Sequence, residues 1–309
     1  MKILRYEKKY QKIWDSKIES SKNSTFLFKR GFVEYHENRF VDHSLLIFDN
    51  EKLLGCFIAN EQNSKTIISH GGLTYGGLIY EKNLRTLKVK EIIVEILNYY
   101  TAKNFKEILW KVIPTFYCVY PSDEITYLLY NMKFDLFRVD QTTLIDINLR
   151  PKLNKGRKWL LYKAKKEGIC VKESKKFKEF FNLYNPHLKM KYGVNPVHTN
   201  DELKLLNSRF PDNIKLISAF INDVFIGGIV GFITNTVFHA QYIHFSDQGK
   251  QFGGPDLVID YIINNLSLRF FDFGISTEDD GKYLNEGLLN FKESYGGRGA
   301  VHLFFRKTL

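Results

Sequence analysis

Asn50–Gly55 reads NEKLLG, and 172 residues further on Asn222–Gly227 reads NDVFIG. In each, a polar turn of Asn and an acidic residue lies between apolar runs: LLIFD and LLGCFIAN around the first, IKLISAFI and FIGGIVGFI around the second. Both read as β-hairpins. Starting at the same offset, TIISHGGLTYG (Thr66–Gly76) falls over FHAQYIHFSDQG (Phe238–Gly249), which is one residue longer.

The order of elements outward from these hairpins is the same twice. In the first half, a strand near Thr66–Ser69 precedes a helix at about Leu87–Tyr100. There Val89, Ile92, Ile93, Ile96 and Leu97 recur at helical spacing, and a buried strand, Glu107–Ile113, comes next. In the second half, VFHAQYIHF precedes a helix at about Pro255–Leu266 and the strand RFFDFG. A final helix, Asn285–Ser294, leads to the strand VHLFFRK. Such an order predicts α/β architecture with mixed sheets, in two domains of residues 1–150 and 151–309. The joining segment NKGRKWLLYKAKKEG (Asn154–Gly168) reads as a basic amphipathic helix. Trp159, Tyr162 and Ala164 are expected to face inward, with Gly168 at the C-cap.

A length of 309 residues fits two domains, and 44 % hydrophobic residues, with 26 Phe and 18 Tyr, exclude a disordered chain. The formal charge is +11, yet twelve Lys or Arg against two Glu fall between Arg150 and Lys178, nearly the whole surplus. So local an excess implies an anionic partner such as a phosphate-bearing ligand or an RNA. Cys56, Cys118 and Cys170 form no C-x-x-C pair and are odd in number, which fits a reducing compartment. The start, MKILRYEKKYQ, has no signal-peptide core. The apolar run Phe225–Ile233 is too short to span a bilayer. A cytoplasmic location is the expectation, with no tightly bound cofactor and no metal-ligand spacing.

Several segments have residue types suited to chemistry. His239, Gln241 and Ile243 should share one face of a strand, with Tyr242 and His244 on the other. One histidine, His239 for choice, is a candidate general base, and Gln241 and Tyr242 candidate acceptor contacts; a core histidine is the plainer reading. FDFGISTEDDG (Phe271–Gly281) begins as a strand and ends in an acidic loop. There Ser276, Asp279 and Asp280 could hold an amine or hydroxyls, and Glu278 could accept a proton; a solvated loop is the alternative. Lys292 is a candidate for oxyanion stabilisation or donor binding, and otherwise a surface lysine. In Gly249–Asp256, Lys250, Gly253 and Gly254 suit a phosphate at a helix N-terminus, or only a strand–helix turn. Tyr75, in HGGLTYGG, is a candidate wall for a sugar acceptor.

NEGLLNFKESYGG, ending at Gly297, resembles the G-L-x-x-F-K-x-x-F-G-G signature of Fem-type peptidyltransferases in the Fem/GNAT superfamily. NKGRKWLLYKAKKEGICVKE is similar to the basic helix and strand that open the second GNAT-like half there, and HGGLTYGGLIY takes the place of the first-half glycine-rich loop. The remainder from about residue 150 resembles FemAB-like proteins linked to bacterial surface-polysaccharide clusters. The resemblance implies two tandem GNAT-like domains and transfer of an acyl group to an amine. Its donor would be acetyl-CoA or another acyl-CoA, as in GNAT enzymes, or aminoacyl-tRNA, as in Fem enzymes acting on a peptidoglycan precursor. GKQFGGPD matches the coenzyme A pyrophosphate loop at Lys250 and Gly253 but has Pro255 at the second small position. The expectation is an N-acyltransferase from acyl-CoA to an amino sugar or cell-envelope glycan precursor. The alternatives are the aminoacyl-tRNA-dependent enzyme and a non-catalytic nucleotide-sugar-binding module.

Overall fold

The computed structural model describes residues 1–309, the side chain of Tyr192 excepted. The chain divides into two compact units. Unit 1 comprises Met1–Gln141, Thr277–Tyr283 and Val301–Leu309; unit 2 comprises Thr142–Ser276 and Leu284–Ala300. The C-terminal strand Arg298–Thr308 thus contributes its last residues to the first unit.

In unit 1, β1 (Leu45–Asp49) and β2 (Lys52–Ile58) form the expected hairpin, turning at Asn50 with φ 52°. Asn tolerates this left-handed conformation better than most residues. β3 (Thr66–Ile68) pairs parallel with β5 (Glu107–Lys111), while β4 (Gly77–Tyr80), between them in sequence, pairs antiparallel with β2. Helix α1 (Thr86–Ala102) buries Val89, Ile92, Ile93, Ile96 and Tyr100 completely, against Leu45, Ile47, Phe57, Ile108 and Trp110. These positions make one helical stripe. Each side chain so buried contributes about 1.5–3 kcal/mol relative to exposure.

Unit 2 takes the second half of β6 (Asp135–Asp146) and continues through α2 (Lys155–Lys166), β7 (Cys170–Ser174), α3 (Phe177–Tyr192) and α4 (Asn200–Arg209). β8 (Ile214–Ile221) and β9 (Val224–Ile233) are the second hairpin, turning at Asn222 and Asp223, both at positive φ. Next come β10 (Val237–Phe245), α5 (Gly254–Asn265), β11 (Phe270–Ile275) and α6 (Glu286–Glu293). β7 to β10 pair antiparallel in sequence order; β10 and β11 pair parallel, and β11 pairs antiparallel with β6. The core packs Phe238, Ala240, Phe271 and Phe273 against Val258, Ile259 and Ile262 of α5.

Two expectations are corrected here. Opposite β9, Val230 pairs with Tyr242 and Gly231 with Ala240, so Gln241 is the extra residue of a β-bulge. A bulge shifts the alternation of faces by one. Ile243 and Phe245 therefore join Phe238 and Ala240 on the core side, while Tyr242 meets Phe181 and Tyr184 and His244 meets Tyr184 and His187. His239, Tyr242 and His244 share the face opposite the core, whereas strict alternation puts the two histidines on opposite faces. The second correction concerns α2. Ala164 is buried, but Trp159 and Tyr162 are 57 % and 64 % exposed. The inward-facing residue is instead Arg157, paired with Asp256 at 3.2 Å and bonded to the Tyr295 hydroxyl at 2.8 Å.

Among the described residues, no helix is long and apolar enough to cross a membrane.

Candidate active site

The parallel pairing of β10 with β11 covers three rungs: Val237 with Phe270, Phe238 with Phe271, and His239 with Asp272. β10 then runs on to Phe245 and β11 to Ile275 without further pairing to each other. Beyond the last rung, the β11-facing edge of β10 has no ladder partner among the described residues. The last rung itself is polar. His239 Nδ1 lies 2.8 Å from Asp272 Oδ2. Asp272 is fully buried, and its other oxygen accepts from the Thr142 hydroxyl and from the Gly274 N–H at 2.9 Å.

Burying a carboxylate is costly unless its lone pairs are satisfied. Here an imidazole, a hydroxyl and a backbone amide all converge on Asp272. The amide reaches back because Gly274 sits at φ 78°, a conformation that is strained for most residues. Hydrogen bonding to a carboxylate places the proton of the neutral imidazole on Nδ1 and leaves Nε2 as the acceptor. His239 Nε2 has no hydrogen bond among the described residues, and the side chain is 15 % exposed.

Lys292, on α6, is 4 % exposed, and its Nζ donates to the carbonyl oxygens of Gly274 at 2.7 Å and Ile275 at 2.6 Å. It is a clamp on the last two residues of β11, not a surface lysine. Burial pushes its ammonium down to about 8, against the opposing pull of the Asp272 carboxylate. Ser276 comes directly after; it is 1 % exposed, and its hydroxyl has no hydrogen-bond partner among the described residues. Such buried unpaired polar atoms also occur elsewhere, at Thr143 for example, so this hydroxyl alone does not mark a ligand site.

The other expected site residues are scattered more widely. Gln241 is the bulge residue, half-buried. The Tyr242 hydroxyl lies 2.7 Å from His198 Nδ1, inside an aromatic cluster with Phe181 and Tyr184. Lys250 is exposed and pairs with Asp247 at 3.3 Å. Gly253 caps α5 at φ 80°, where a Cβ would lie 2.3 Å from the Leu160 carbonyl oxygen of α2; Gly254 is pressed by the Gly249 carbonyl at 2.9 Å. Gly253 lets α2 pack on the start of α5, and the first turn there already carries the buried acid Asp256. Glu278 and Asp279 belong to unit 1, where Asp279 pairs loosely with Lys282 at 3.8 Å and the neighbouring Asp280 binds Arg138. Tyr75, also in unit 1, is 1 % exposed, packed on Tyr117 at 4.5 Å and bonded to the Thr25 hydroxyl at 3.3 Å. Its enclosure removes it as a wall for a sugar. Sequence reasoning misses Asp272 and Thr142; the available signal is a lone acid in the apolar run RFFDFG, at a position flanked by two core phenylalanines.

No family model matches the sequence, and no curated protein matches it. Solved structures do match the fold. FemX superposes with a TM-score of 0.68 at 11 % identity, over 100 % of this chain and 98 % of that one. A conserved protein of unknown function from Bacteroides thetaiotaomicron gives 0.65 at 9 %, over 99 % of both chains. The C-terminal domain of a candidate lysylphosphatidylglycerol synthetase from Agrobacterium fabrum gives 0.60 at 9 %, over 94 % and 91 %. The fold is GNAT-like α/β with mixed sheets. More particularly, it is the Fem/GNAT-like fold that FemX has over its whole length.

Proposed function

We propose that the chain is an acyltransferase that moves an acyl group from an acyl-CoA to an amine, with His239 as general base and Asp272 as its positioning partner. The observation that carries this reading is the pair of buried Asp272 with half-buried His239 on the last rung before β10 and β11 part. An amide-bearing donor lies along the open edge of β10 as an added strand would. The acceptor nitrogen attacks the acyl carbonyl carbon and gives its proton to His239 Nε2. The C–N bond forms, the C–S bond breaks, and the thiolate leaves to be protonated. Asp272 stabilises the imidazolium that results. Lys292 holds the segment that carries Gly274 and Ser276, so it positions groups and does not touch the reacting atoms. The acceptor we favour is an amino sugar or cell-envelope glycan precursor in the cytoplasm.

One observation favours a second donor. The twelve basic residues of 150–178 suit aminoacyl-tRNA, and the fold is shared with FemX. A thermal-shift titration separates the two, because a ligand of the folded state raises Tm with concentration. Acetyl-CoA is expected to raise Tm in a dose-dependent way, with free adenosine giving no rise. A flat response to millimolar acetyl-CoA together with a rise on adding aminoacyl-tRNA would replace the first donor by the second.

A further inference from the structure

We infer that the outer face of α2 is a docking surface for an anionic lipid bilayer. The inner face of this helix is fixed to unit 2: Arg157 binds Asp256, Ser294 and Tyr295, and Ala164 is fully buried. Lys163 is also engaged, donating to the Gln251 carbonyl at 3.0 Å. The outer face is different. Lys155, Trp159, Tyr162 and Lys166 have i, i+4, i+7 and i+11 spacing, one stripe along the helix, and all four are exposed. Lys158 and Lys165 flank the stripe, also exposed. In the turn Ile147–Leu149 just ahead, Leu149 is 76 % exposed.

Two large aromatics over half exposed are costly decoration for a face that meets only water. Trp and Tyr with lysines around them suit the headgroup layer: the rings sit at the acyl boundary while the ammonium groups reach anionic phosphates. A single-stranded RNA is the rival occupant, through stacking. It is disfavoured because Lys163 Nζ already lies 5.2 Å from the Trp159 ring centroid, and because aliphatic Leu149 has no face on which a base stacks. The inference stands apart from the acyl-transfer reading, since neither His239 nor Asp272 lies on α2.

The protein carries its own probe. Trp14 and Trp110 are 0 % and 1 % exposed, so a solvent-sensitive change in tryptophan emission reports Trp159. The full chain is mixed with phosphatidylcholine vesicles doped with phosphatidylglycerol, and with pure phosphatidylcholine vesicles. The expected result is co-sedimentation with the anionic vesicles alone, weakening with salt, with a blue shift of the emission. The double variant Trp159→Ala/Tyr162→Ala should lose the binding. Lys158→Gln and Lys166→Gln should each weaken it about fivefold. Failure to co-sediment would overturn the inference. So would vesicle binding with no emission change, which is adsorption through charge elsewhere. Binding of an oligouridylate that quenches Trp159 while vesicles do not bind would assign the face to RNA.

Discussion

In unit 1 the parallel pair β3/β5 has three rungs and ends on Ile68 opposite Leu109; in unit 2 the pair β10/β11 has three rungs and ends on His239 opposite Asp272. The chain beyond the last rung is also built alike. In unit 1, Lys111 donates to the carbonyl oxygens of His70 at 3.1 Å and Gly71 at 3.3 Å, and burial pushes it down to about 8. In unit 2, Lys292 does the same for Gly274 and Ile275, with the same lowering. A buried lysine clamping the chain beyond the ladder is thus common to both units and does not distinguish them. The rung does. Unit 1 has the apolar pair Ile68 and Leu109 at its own, and just beyond it Ser69 ties the two strands, its N–H donating to the Leu109 carbonyl at 2.9 Å and its hydroxyl accepting from the Lys111 amide at 2.7 Å. Unit 2 has a histidine hydrogen-bonded to a buried acid in that position. On the proposed reading, this difference assigns the chemistry to unit 2 and makes unit 1 its structural counterpart.

The comparison can be broken at the rung. His239→Ala should lower kcat about 10²–10⁴-fold, while Ile68→Ala at the matching place should leave kcat at the parent value and lower only Tm. Equal losses of kcat in both variants would erase the distinction. Next in size, Trp110→Ala should destabilise by about 3–5 kcal/mol in urea unfolding, because it empties a filled core site. The amide beside it in sequence, on Lys111, would serve as a hydrogen-exchange reporter of the same loss.

The clamps give a pH signature. A lysine that ionises near 8 in the folded chain and near 10.5 in the unfolded one holds fewer protons when folded across that window. Stability therefore rises as pH increases from about 8 toward 10.5, and below 8 the clamp costs stability without changing. For Lys292 the full window corresponds to roughly 3 kcal/mol at most. Relative to Lys292→Met, the parent should gain urea stability between pH 8 and 9.5; Lys111→Met should show the same sign. A parent and variant that run parallel through this range would show that burial does not perturb the lysine. Smallest, Gly274→Ala should cost about 1–2 kcal/mol through its φ of 78°. It should also lower kcat modestly by turning the amide away from Asp272, which circular dichroism melts and initial rates together would register.

Much of this arrangement is legible in residues and some is not. The hairpins are readable from NEKLLG and NDVFIG because Asn and acidic residues accept positive φ, and α1 is readable from apolar spacing alone. The bulge at Gln241 is invisible, because a bulge is a property of two strands in register and β10 alone reads as regular alternation. The sequence of α2 suggests the wrong inward face for a similar reason. Arg157 looks like one more solvated cation until Asp256, far along the chain, is seen to pair with it. Lys292 is marked by its motif, yet only packing shows that it is enclosed and bonded to backbone carbonyls. Asp272 is the instructive omission: RFFDFG reads simply as a strand, and the role of its acid shows only once its three partners are in place.

The measurement that bears most directly on the central claim is single-turnover transfer of a labelled acetyl group from acetyl-CoA to a panel of amino sugars, run on the parent, His239→Ala and Asp272→Asn with Tm recorded for each. The account predicts turnover by the parent, a loss of about 10²–10⁴-fold in His239→Ala at little change in Tm, and an intermediate loss in Asp272→Asn. Variants that transfer as fast as the parent, or a parent that transfers nothing to any amine, would contradict it.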